Sequence, residues 1–76
     1  RDRPGIHCAR MKVVVNDEAI EIEERATVAR LLELRGLGSR PCAVEVNRGL
    51  VPRREHAGHE LAEGDRVEIV TLVGGG

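Results

Sequence analysis

The sequence contains no Phe, Trp or Tyr, so any core must be assembled from its 10 Val, 7 Leu and 4 Ile, with Ala filling the gaps. β-Branched side chains fit a pleated, half-buried surface, and valine at this frequency points to strands. The chain has 76 residues, which allows a single domain on a scale of roughly 100–200 residues each. A domain this small buries only about 60% of the surface its unfolded chain exposes, so its core is thin. Separate cofactor and substrate domains do not fit. Small binding modules, carriers and subunits of larger assemblies do.

Charge and composition narrow the classes further. Twelve basic and 13 acidic residues give a net charge of −1, which excludes binding to a polyanion through bulk charge. Without aromatic rings there is no stacking platform for unpaired bases, so no nucleic-acid partner is expected. No apolar run approaches the about 18 residues of a membrane-spanning helix. Residues 1–10 also lack the apolar segment of a signal peptide. The expectation is a cytoplasmic protein with no membrane partner. Two cysteines, Cys8 and Cys42, are too few for a disulfide framework.

Residues 1–10 (RDRPGIHCAR) carry no periodicity. They read as a disordered lead-in or a non-native extension, with the domain over 11–73 and a flexible tail at 74–76. A basic arm touching a partner is the alternative for the lead-in. Residues 11–15 alternate, with Met11, Val13 and Val15 on one face and Lys12 and Val14 on the other. Asn16-Asp17-Glu18 is turn chemistry, and residues 19–23 alternate again with Ile20 and Ile22 inward. Together they predict a β-hairpin.

Thr27 is a helix N-cap ahead of the apolar stripe Val28, Leu31, Leu32, and Gly36 supplies the stop. Arg30 occupies the position where Glu or Gln would close a capping box. A helix of about two turns depends on the sheet to hold it. Residues 42–46 predict a strand with Val44 and Val46 inward. Asn47-Arg48-Gly49 makes a tight turn into a short strand at Leu50-Val51, ended by Pro52. Residues 53–60 are polar and irregular, with room for one helical turn, and Leu61 plugs the core. After a turn at Glu63-Gly64-Asp65, residues 66–73 form the last strand. The order β-β-α-β-β-β folds as an α+β layer, one sheet with a helix packed across one face.

Most catalytic signatures are missing. Gly36-Leu37-Gly38 has no preceding strand and no third glycine at dinucleotide spacing, and no Gly-Lys-Ser/Thr loop exists. His7 and Cys8 with Cys42, or His56 with His59, lack the paired spacing of a zinc site. They read as surface histidines and a small buried cysteine. No Ser-His-Asp or Cys-His arrangement is evident. A domain of this size is expected to lack a cleft of a few hundred Å³. Neither a bound cofactor nor a bound metal is expected.

The informative feature is the end, Val70-Thr71-Leu72-Val73-Gly74-Gly75-Gly76. Alternation puts Val67, Ile69, Thr71 and Val73 on one face and leaves Val70 and Leu72 on the other. Those two either dock a partner or are covered by another part of the sheet. Glycine has no Cβ, so an extended run of it can thread a narrow channel into another enzyme's active site. A carboxylate on such a tether can attack the α-phosphorus of ATP and then exchange AMP for sulfur. The partner would supply Mg²⁺, the cationic clamps and the sulfur.

Residues 11–76 resemble the ThiS family, the sulfur carriers of thiamine biosynthesis. The resemblance rests on residues 11–18 (MKVVVNDE), on Thr27-Val28 with Leu31-Leu32, on 44–53 (VEVNRGLVPR) and on 61–76 (LAEGDRVEIVTLVGGG). It implies a β-grasp, ubiquitin-like fold with a mixed sheet. It implies that Gly76, with Gly75 and Gly74 as its tail, is adenylated by a ThiF-type adenylyltransferase that uses ATP. A sulfur donor enzyme would complete the thiocarboxylate, and a ThiG-type thiazole synthase would receive the sulfur. Val70 and Leu72 would dock these partners. The chain would be a carrier and not itself an enzyme. A small subunit of a molybdopterin-synthase-like complex and another ubiquitin-like carrier or modifier are the alternatives.

Overall fold

The computed structural model describes residues 9–72. Strands β1 (Arg10–Val15) and β2 (Glu18–Glu23) form the first hairpin. Helix α1 (Val28–Leu34) follows, then a second hairpin of β3 (Cys42–Val46) and β4 (Gly49–Val51). A 3₁₀ turn at Arg53–Glu55 leads to β5 (Arg66–Thr71). The sheet order is β2-β1-β5-β3-β4, with β1 and β5 parallel and the other neighbours antiparallel. Strand β5 thus lies at the centre, between the two hairpins.

The alternation read in the sequence sets the layers. Met11, Val13, Val15, Ile22, Val44, Val46, Val51, Val67 and Ile69 are buried on one face of the sheet. Val28, Leu31 and Leu32 of α1 join that core, with Ala26 and Leu61. Branched aliphatics therefore fill the space where larger domains use rings.

The helix is well terminated for its length. Thr27 Oγ1 accepts from the Arg30 N–H at 3.1 Å. The N–H groups of Val28 and Ala29 donate to the carbonyls of His59 and His56, at 3.0 and 2.9 Å. The polar 53–60 loop thus satisfies donors that a helix start leaves unpaired. At the other end Gly36 takes φ +75°. Its N–H and that of Leu37 reach back to the Glu33 and Leu32 carbonyls, the Schellman pattern. Instead of a capping box, the Arg30 guanidinium pairs with Glu23 and Glu33 at 3.2 and 3.3 Å.

Several boundaries and burials differ from expectation. Both hairpin turns have two residues, Asn16-Asp17 and Asn47-Arg48, all with φ between 49° and 71°. This geometry matches strand twist and returns Glu18 and Gly49 to their strands. β1 starts at Arg10, and the Ala9 carbonyl accepts from the Glu24 N–H at 3.0 Å. β5 ends at Thr71 and not at residue 73. The Leu72 N–H still donates to the Pro41 carbonyl at 2.9 Å, but Pro41 has no N–H to return the bond. His56 is not a surface histidine: it is 7% exposed, with Nε2 3.0 Å from the Val51 carbonyl. Cys42 is half-buried against the rim of the core.

Candidate functional site

The end of β5 is built by its neighbours. Val67 and Ile69 anchor one side of the strand in the core. Pairing with β3 runs through Ala43 opposite Val70 and Cys42 opposite Thr71. Because side chains alternate, Val70 and Leu72 face away from the core, and they remain 58% and 51% exposed. Among the described residues no other part of the sheet covers them, so the expectation of coverage is not met. Leu50, on β4 beside β3, is 67% exposed. It was missed in the sequence, where it reads as one of two apolar residues in a short strand; the inward turn of Val51 identifies it. Val73, Gly74, Gly75 and Gly76 lie outside the described residues, as do His7 and Cys8.

The uncovered face also carries charge. Glu45, Asn47, Arg48, Arg66 and Glu68 line an open depression of about 610 Å³. It is a surface depression and not an enclosed cleft. It is wide open to solvent and mixed in sign. Arg66 is paired across the first turn with Asp17 at 3.1 Å. Among the described residues, no three His, Cys, Asp or Glu side chains converge as a metal site. No helix among them is long and apolar enough to cross a membrane. On the helix side, Glu23 sits below the usual carboxylate range. Its own backbone N–H is the main cause, and Arg30 adds to it.

The five-stranded mixed sheet crossed by one helix is a β-grasp, the fold of the ubiquitin-like class. The sequence profile of the ThiS family matches residues 7–76. The chain belongs to the ThiS family, the sulfur carriers of thiamine biosynthesis.

Individual relatives agree. The chain is 30% identical over 66 residues to the sulfur carrier protein ThiS of Escherichia coli, covering 87% of this chain and 100% of that protein. It is 41% identical over 66 residues to a thiazole synthase of Paramagnetospirillum magneticum, covering 87% of this chain. There the chain spans only 20% of the relative's length. The crystal structure of the thiamine biosynthesis protein ThiS from Geobacter metallireducens superposes with a TM-score of 0.74 at 26% identity. That match covers 87% of this chain and 100% of the other.

Proposed function

We propose that this chain carries sulfur as a thiocarboxylate on Gly76 and delivers it to a thiazole synthase. The carboxylate attacks the α-phosphorus of ATP in a ThiF-type adenylyltransferase, and pyrophosphate leaves. Hydrosulfide released by a donor enzyme then attacks the acyl carbon, AMP leaves with the former carboxylate oxygen, and the sulfur stays on Gly76 as the thiocarboxylate. The chain contributes the carboxylate, the Gly74-Gly75-Gly76 tail and the docking residues Val70 and Leu72. The partner contributes the metal, the cationic clamps and the sulfur. The carrier itself binds no cofactor, and the cytoplasm, where ATP is plentiful, is its place of work.

The observation that carries this reading is the exposed Val70 and Leu72 pair immediately ahead of the tail, in a chain of the ThiS family. The Paramagnetospirillum magneticum relative, named a thiazole synthase, supports the choice of recipient. Intact mass after incubation with the adenylyltransferase, ATP and a sulfur donor tests it. Tandem fragmentation must place the change on Gly76, since exchange of oxygen for sulfur nearly matches oxidation of Met11 or a cysteine. An unmodified tail beside an active enzyme control would overturn the reading in favour of a molybdopterin-type subunit or a modifier.

A further inference from the structure

Strand β5 is held at its first residue and again midway by asparagine side chains from the two hairpin turns. The parallel ladder pairs Val14 with Arg66 and Val15 with Val67. The chain then leaves the sheet at Asn16-Asp17, so β1 offers Ile69 no strand partner. The Asn16 side chain takes that place. Its Oδ1 accepts from the Ile69 N–H at 2.8 Å, and its Nδ2 donates to the Ile69 carbonyl at 3.2 Å. A carboxamide presents the same donor and acceptor as a peptide unit, so the ladder gains one more step. By alternation the next backbone groups on that edge belong to Thr71, beyond the reach of the first hairpin. Among the described residues Ile69 is therefore the last of β5 to be bonded on the β1 side.

Asn47 is the internal counterpart. Its Oδ1 accepts from the Arg66 N–H at 2.9 Å, and its Nδ2 donates to Asp65 Oδ1 at 3.0 Å. Both asparagines open a two-residue turn, with φ of 49° and 52°. They share residue type, turn position and target strand, and they differ in where along β5 they hold it.

We propose that Asn16 is a positioning residue for sulfur transfer, fixing the stem from which the tail enters the partner's active site. The inference rests on the carrier reading above. From Ile69 to Leu72 the chain advances 3 residues, about 10 Å when extended. A tilt of about 10° at the stem then moves Leu72, the docking residue ahead of the tail, by about 2 Å over that reach. A misplacement of about 1 Å at a reacting centre is enough to cost about 100-fold in rate.

The test compares Asn16→Gly, Asn16→Asp and Asn47→Gly with the wild-type chain. Glycine keeps the positive φ of each turn while removing the side chain. The readouts are kcat and KM for thiocarboxylate formation by the adenylyltransferase with ATP and a sulfur donor, well below each variant's Tm. Both glycine variants should melt earlier. Only Asn16→Gly should lose kcat, by about tenfold or more, with faster exchange of the Thr71 and Leu72 amides. Asn16→Asp, which keeps the acceptor for the Ile69 N–H, should fall between. Equal losses in Asn16→Gly and Asn47→Gly would make the two asparagines interchangeable stabilisers and overturn the proposal. Unchanged kcat in Asn16→Gly beside normal wild-type turnover would overturn the positioning role alone. Absence of sulfur on wild-type Gly76 would overturn the carrier reading and the positioning role with it.

Discussion

Val70 stands directly opposite Ala43 in the β3–β5 ladder, on the face that α1 leaves uncovered, and more than half of its surface meets solvent. Val70→Glu and Leu72→Glu should therefore spare the fold. Exposed substitutions of this kind stay within about 0.5 kcal/mol, a Tm change of about 2–4 °C in a domain of this size. Affinity for the adenylyltransferase should fall about tenfold or more, since about 1.4 kcal/mol of lost contact suffices. Titration calorimetry beside thermal melting checks both. A large loss of Tm would show that these side chains belong to the core.

The tail should tolerate no obstruction. A C-terminal tag removes the free carboxylate of Gly76 and should abolish thiocarboxylate formation, read by intact mass. Deleting Gly76 shortens the reach by about 3.3 Å and should impair or abolish activation. Normal turnover of the tagged protein would rule out the acyl-adenylate route.

His56 ties the 53–60 loop to β4 and to α1. Its ring meets the Val51 carbonyl while its own carbonyl accepts from the Ala29 N–H at the start of α1. His56→Ala should destabilise the domain by about 1–3 kcal/mol, the range for a buried group left without its partner. Urea denaturation of the variant measures this. An effect below about 0.5 kcal/mol would place the ring in solvent.

Glu23 should titrate below an ordinary glutamate. Its own backbone N–H and the Arg30 guanidinium both favour the charged form, and Arg30 is correspondingly held above its ordinary value, chiefly by Glu23. A lowered folded-state pKa adds stability that is present above the unfolded value of about 4.3 and is lost as pH falls through the folded value. Arg30→Ala should move the Glu23 carboxyl upward without restoring it fully, because the backbone contact is the larger cause. Carboxyl NMR titration reads the shift. An unmoved titration would mean that the pair is open in solution.

Local chemistry was legible in the sequence wherever it acts within a few residues. Thr27 and Gly36 marked both ends of the helix, and the alternation of Val67, Ile69, Val70 and Leu72 fixed which side of β5 meets the core. Non-local pairing was not. Nothing in the spacing says that β5 inserts between β1 and β3, because a parallel pair leaves no turn between its strands. The burial of His56 depends on a contact with Val51 and on the helix start above it, so its polarity alone misplaced it. Asn16 and Asn47 were read only as turn formers, and their grip on β5 appears once the strand order is known. Their one sequence signal is the same residue opening both hairpin turns. For the tail the position is reversed: residues 74–76 speak through composition and family, while the fold describes the strand that leads to them.

The central place of β5 makes the carrier its own quality gate. Without that strand the sheet falls into two unconnected hairpins, and an isolated hairpin is marginally stable at best in water. Final assembly therefore waits on the same element that carries Val70 and Leu72. A partner that docked on β5 through these residues would accept only molecules whose folding is finished. Unfolded copies present the same glycines but lack the strand pairing that sets Val70 and Leu72 together on one face.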